Sequence, residues 1–183
     1  MNYALFTIAL ISFLHYAKES NAIFCNDYGL EARKKIILIS ATLFAFIHLW
    51  LLWRTPVYSH KFANLASLCY IAGLIVFLSA KRATSTYRST LSFAPDLPSW
   101  MLNKGIYSVI RHPFLLAFCL TWLGGVLEAN CLRTSASTAI MLSFYWLAAK
   151  QQERKYENSM LAAEYKSYKN RTGMFLPPLG LFK

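Results

Sequence analysis

The sequence predicts an all-α membrane protein, a polytopic bundle of about five transmembrane helices, and three observations carry that prediction. Apolar residues make up 56% of the 183-residue chain and aromatic residues 16%, and the mean hydropathy is positive. That is too apolar for an ordinary soluble domain of this length. Five stretches, residues 1–17, 36–53, 62–80, 113–127 and 134–149, contain no Asp, Glu, Lys or Arg. Finally, the Lys and Arg residues fall very unevenly into the segments between them. A helix needs roughly 20 residues to cross a hydrocarbon core, so several stretches must borrow polar flanks such as Asn130 or Lys150, or cross a thinned bilayer.

The first stretch begins M-N-Y, without a basic n-region, and carries only a weak cleavage pattern around Ser20-Asn21-Ala22, so it reads as a retained helix and not a signal peptide. With the N-terminus outside, residues 17–35, 81–113 and the tail from 150 are cytoplasmic and hold 16 of the 19 basic residues; Arg54, Lys61 and Arg133 lie outside. This asymmetry places the C-terminus inside. The net charge of +11 is then mostly a cytoplasmic collar facing anionic headgroups, and a nucleic-acid partner is unnecessary. Cys25, Cys69, Cys119 and Cys131 have no C-x-x-C spacing and fall at different depths, which suggests neither a zinc site nor a disulfide framework but small buried apolar residues.

No internal repeat or low-complexity linker divides the chain, so 1–183 reads as one membrane domain, with residues 1–80 as its three-helix N-terminal part. Residues 81–111 form the longest polar interruption and read as an ordered cytoplasmic loop, whose prolines oppose a continuous helix and whose Trp100 suits the membrane interface. Proline favours the first turn of a helix and pushes its predecessor toward extended backbone, so Pro113 starts the fourth span with His112 at or near its cap. The last span reads as a helix continuing to Tyr168, because no Gly or Pro interrupts 134–168. At about 100° per residue, Leu142, Trp146, Ala149, Glu153, Tyr156 and Met160 share a stripe on which Glu153 is the one acid. Lys150, Arg154 and Glu157 read as a solvated flank with i,i+4 pairs.

The stretch G-I-Y-S-V-I-R-H-P-F, residues 105–114, sets Arg111 and His112 at the cytoplasmic lip of the fourth span. Free N–H groups and the positive helix end favour an anion there, and a neighbouring arginine reinforces them. A carboxylate or phosphate ligand fits. So does a plainer reading, in which Arg111 meets lipid phosphate, His112 caps or snorkels, Glu153 is an interfacial salt-bridge partner, and Tyr107, Tyr165 and Tyr168 are belt aromatics.

The motif G-x-Y-x-x-x-R-H-P before an apolar span, followed by Q-E-R-K-Y-E-N-S-M-L-A-A-E-Y-K-S-Y-K-N-R-T-G-M-F-L-P, resembles the isoprenylcysteine carboxyl methyltransferase family of integral membrane enzymes. The likeness covers residues 103–178; the earlier spans resemble the family only in hydropathy. It implies a small bundle of membrane helices whose last two spans and cytoplasmic ends enclose S-adenosylmethionine, with a tunnel open to the bilayer for a lipophilic acceptor, an isoprenylcysteine-type carboxylate being one class. By motif position, the resemblance assigns Tyr107, Arg111, His112 and Pro113 to the first cofactor-facing segment and Glu153 to the second. Tyr165, Tyr168 and Arg171 fall in the closing segment. His112 and Glu153 are the implied catalytic residues. Two departures stand out: Leu115 where many members have tyrosine, and Gln152-Glu153 where many have two glutamates. The related membrane sterol reductases, which use NADPH, continue R-H-x-N-Y-x-G-D, whereas this chain reads R-H-P-F-L-L-A-F. A non-catalytic membrane protein retaining the fold is the rival outside enzymology.

Overall fold

The computed structural model describes residues 3–23, 31–54, 62–84 and 97–178, and the side chains of all of these except 19–40. Every regular element of length among them is helical, as expected. These are α1 (Tyr3–Ile23), α2 (Glu31–Arg54), α3 (Ala63–Thr84), a single 3₁₀ turn (Gly105–Ser108), α4 (Pro113–Ala129), α5 (Leu132–Glu157) and α6 (Ala162–Arg171). Cys25, Lys61 and the S-F-A-P-D portion of the long loop lie outside the described residues, as do the side chains of the basic run 33–35.

The helix boundaries follow local chemistry. Pro113 begins α4 and His112 is its N-cap, as the sequence predicts. Asn130 ends α4 in the left-handed conformation (φ 45°), a backbone state asparagine tolerates, and α5 begins two residues later. Thr134 and Ser135 return their hydroxyls to the Cys131 carbonyl, at 2.8 and 3.1 Å, closing the turn between the two helices.

The expected helix over 134–168 breaks. α5 stops at Glu157, and four residues separate it from α6. No Gly or Pro was needed: the Ser159 hydroxyl donates to Tyr156 O at 2.8 Å and accepts from Leu161 N–H at 3.1 Å, replacing helical bonds with local ones. The break leaves Met160 fully exposed, and Trp146 also faces outward. The proposed stripe is therefore corrected: the buried face of α5 is Met141, Ala148, Ala149 and Glu153, preceded by Thr134, Ser137 and Thr138.

α3 and α4 make the most extensive helix pair, with α1, α2 and α5 around them. One apolar cluster joins Tyr16, Phe77, Ala80, Phe114 and Ala117; a second joins Leu5, Ala9, Leu52, Ala66 and Tyr70. Small residues allow the close approach. A Cβ on Gly124 would strike the Tyr70 ring, and one on Gly125 would overlap His48 Nε2. His48 is wholly buried, with Nδ1 3.0 Å from Ser137 Oγ. Because the Ser137 hydroxyl donates its own hydrogen to Thr134 O, His48 must donate from Nδ1, which leaves Nε2 as the lone-pair nitrogen facing Gly125.

Beside these apolar clusters the interior holds several polar groups, and much of the outer surface is apolar. Ser12, His48, Thr121, Thr134, Ser137 and Thr138 are buried, while Phe46, Trp50 and Trp53 of α2, Leu68, Ile71 and Ile75 of α3, and Phe144, Trp146 and Leu147 of α5 face outward. Among the described residues, α3 is long and apolar enough to cross a membrane; the apolar parts of α1, α2 and α4 are shorter, at Tyr3–Lys18, Ala41–Arg54 and Pro113–Ala129. At 17 residues α4 is about 25 Å long, just short of a hydrocarbon core. Cys69, Cys119 and Cys131 form no disulfide and are partly and not fully buried, and Cys131 Sγ lies 3.3 Å from Thr134 Oγ1.

Candidate functional site

Residues 109–112 join the 3₁₀ turn to α4 and are clasped there by the C-terminal segment. Arg111 N–H donates to Gly173 O at 2.8 Å, Gly173 N–H donates to Val109 O at 3.0 Å, and His112 N–H donates to Met174 O at 3.2 Å. This parallel bridge, Ile110 to Gly173, joins positions more than sixty residues apart. Glycine is required at 173, because a Cβ would overlap the Leu176 carbonyl across the tight turn that follows.

The Arg111 guanidinium links three segments. Its Nε donates to Glu153 Oε1 on α5 at 2.9 Å, and its Nη1 donates to the carbonyls of Lys169 and Thr172 at the end of α6. Glu153 is only 2% exposed and, besides Arg111, has two lysines and an imidazole beside it: Lys169 Nζ lies 3.5 Å and Lys150 Nζ 3.9 Å from Oε2, and His112 Nε2 lies 3.6 Å from Oε1. The last distance is too long for a hydrogen bond, so the buried Nε2 of His112 has no hydrogen-bond partner within the chain. Burial by itself raises the Glu153 carboxyl; His112 and Arg111 beside it outweigh burial and hold it at about 2. It is a carboxylate at neutral pH. Lys169 also reaches Glu157 at 2.8 Å, so of the expected solvated flank Glu157 pairs across to α6, while Lys150 reaches Glu153 along α5.

A cleft opens in front of this ion cluster. Its lining mixes polar and aromatic side chains, Arg111, His112, Tyr107, Tyr156, Tyr165 and Tyr168, with apolar ones, Trp100, Met101, Leu102, Phe114 and Leu115. Thr84 and Gln152 also line it. Tyr156 and Tyr165 stack with centroids 4.9 Å apart, and Tyr168 donates its hydroxyl to Tyr107 O at 2.6 Å. Burial pushes the phenols of Tyr107, Tyr156 and Tyr165 up, and that of Tyr168 to about 12, so all four are neutral hydroxyls at physiological pH.

The sequence-predicted residues thus converge, with two exceptions. Tyr107, Arg111, His112, Pro113, Tyr165 and Tyr168 line the cleft. Glu153 stands behind Arg111, off the cleft wall, and Arg171 is exposed at the end of α6, also off it. Sequence reasoning missed Thr84, Trp100, Met101, Leu102 and Phe114 as lining residues. Trp100, expected at the membrane interface, lies on the cleft wall, and its carbonyl accepts from Tyr156 Oη at 3.4 Å. Tyr156 was visible only as a neighbour of Glu153 in the helical pattern. Both departures from the family pattern, Leu115 and Gln152, face the cleft.

Among the described residues no group of His, Cys, Asp and Glu could hold a metal ion. The donor set suits an organic ligand with an anionic end: Arg111, a hydrogen-bonding imidazole and the start of α4 sit together, with aromatic faces beside them. Compared with protein-family models, curated proteins and solved structures, the chain matches none.

Proposed function

We propose that this chain is an S-adenosylmethionine-dependent methyltransferase of the membrane, acting on a lipophilic acceptor. The observation that carries the reading is that R-H-P, Tyr165 and Tyr168 line one cleft of mixed polar and apolar character, with Glu153 bound to Arg111 behind it and Gly173 bridged to the R-H-P segment. Support for a multi-pass chain comes from the outward apolar side chains of α2, α3 and α5. The basic asymmetry of the sequence then sets the N-terminus outside and the cleft toward the cytoplasm.

The residues divide the work as follows. Arg111, His112 and the first turn of α4 would hold the cofactor's carboxylate; Glu153 keeps the guanidinium in place from behind. The tyrosine faces and Trp100 would exclude water, and the Trp100 to Leu102 and Phe114 to Leu115 edge would receive the acceptor's apolar chain. The cofactor supplies an activated methyl group on sulfur. An oxygen, sulfur or nitrogen nucleophile must approach that methyl in line, and a dry aligned pocket provides much of the acceleration. A carboxylate acceptor needs no general base. For a thiol, phenol or amine, His112, which lines the cleft, is the candidate base.

Purified protein incubated with labelled S-adenosylmethionine and host membrane lipids should yield a labelled lipid. S-adenosylhomocysteine should bind in detergent and His112→Ala should weaken that binding. Binding of NADPH with no binding of S-adenosylhomocysteine would overturn the reading in favour of a reductase; cofactor binding with no methylated product from any extract would point to a non-catalytic protein.

A further inference from the structure

Neighbouring residues on a helix point about 100° apart, and on α5 this separates Gln152 from Glu153 completely. Gln152 lines the cleft, whereas Glu153 turns toward Arg111, Lys169 and Lys150 at 2.9, 3.5 and 3.9 Å. The charge of Glu153 is therefore matched behind the wall. What remains on the wall, among the described residues, is Arg111 and His112 and no Asp or Glu. An anionic group of a ligand is well served there. A cationic group meets only the rings of Tyr156, Tyr165 and Trp100 and the neutral amide of Gln152, and ring faces hold cations more weakly than a buried carboxylate does.

We propose that Gln152 is the residue that sets the charge preference of the cleft, making it a site for ligands that are zwitterionic or anionic overall and indifferent to an added positive charge. The proposal rests on the S-adenosyl reading above and deepens it. S-adenosylmethionine carries one more positive charge, at sulfur, than the thioether S-adenosylhomocysteine, and the two are otherwise alike, so their affinity ratio measures what the wall contributes toward that charge.

The native chain should bind the two with dissociation constants within about threefold of each other, or favour the thioether. Gln152→Glu places a carboxylate on the wall and should shift the ratio toward the sulfonium by on the order of tenfold, the effect of a unit charge pair about 6 Å apart in a half-solvated site. Gln151→Glu, which adds the same charge on the exposed side of α5, should leave the ratio unchanged. If Gln152→Glu does not yield folded protein, Gln152→Lys carries the test with the opposite sign, a shift toward the thioether. Calorimetry on the purified full chain in detergent reads all of these without turnover. A native preference for the sulfonium above about threefold, equal shifts in the two Glu variants, or no shift at position 152 overturns the proposal while leaving the S-adenosyl reading intact. Failure of the native chain to bind either ligand overturns both.

Discussion

Neutralising Glu153 with its shape retained, by Glu153→Gln, should destabilise the protein strongly although no cleft-lining atom changes. The carboxyl is 2% exposed and held at about 2, against an ordinary value of 4.5. A depression of that size corresponds to about 3 kcal/mol of stability at neutral pH. Removing one partner of a buried ion pair gives a similar magnitude independently, about 3–5 kcal/mol, because the Arg111 guanidinium is left buried with only carbonyl partners. For a chain of this size the melting temperature should fall by roughly 6–12 °C. The sign with pH is fixed: a depressed carboxyl stabilises the fold above its ordinary value and loses that contribution as the pH falls. The gap between native and variant should therefore close between pH 4.5 and about 2. Glu157→Gln, which removes a half-exposed partner of Lys169, should shift melting by less than about 2 °C. Thermal unfolding in detergent, followed by tryptophan fluorescence across pH, measures all three. A Glu153→Gln melting point within 2 °C of native at pH 7, or a gap that persists in acid, would refute the buried-pair assignment.

Two further substitutions probe the helix contacts and the C-terminal clasp. Gly125→Ala should destabilise by about 1–3 kcal/mol because its methyl overlaps the His48 ring, and His48→Ala in the same chain should recover part of that loss; strict additivity in the double-mutant cycle would show that the two residues do not meet. Gly173→Ala should displace the Leu176 turn and release the bridge to Arg111 and His112, weakening S-adenosylhomocysteine binding at least tenfold by calorimetry; binding within twofold of native would separate the clasp from the site.

The start of α4 was legible because proline chemistry is local: Pro113 has no N–H to lose at the first turn, and the sequence alone placed His112 at its cap. The end of α5 was not legible from Gly and Pro, because the stop comes from the hydroxyl of Ser159 competing for backbone groups. The same break carries Tyr165 and Tyr168 back against Tyr156 and Tyr107, an arrangement that a straight helix could not make. Trp100 illustrates a different limit: an aromatic beside a membrane span suits an interface and a pocket wall equally, and only packing chooses between them.

What the sequence determined by itself is whatever depends on composition and short range: helical class, the apolar stretches, the basic asymmetry, and the two segments bearing R-H-P and Glu153. What the tertiary structure decided is which side chains meet. Helix period puts Gln152 and Glu153 on different faces, but the sequence cannot say which face looks into a cleft, because that depends on where α4 and the clasp from residue 173 lie. The fold turned Glu153 inward to hold Arg111 and left the uncharged Gln152 on the wall. The physical reason is the cost of burying charge: a guanidinium at the junction of α4, α5 and α6 needs a carboxylate beside it, and Glu153 is the acid within reach.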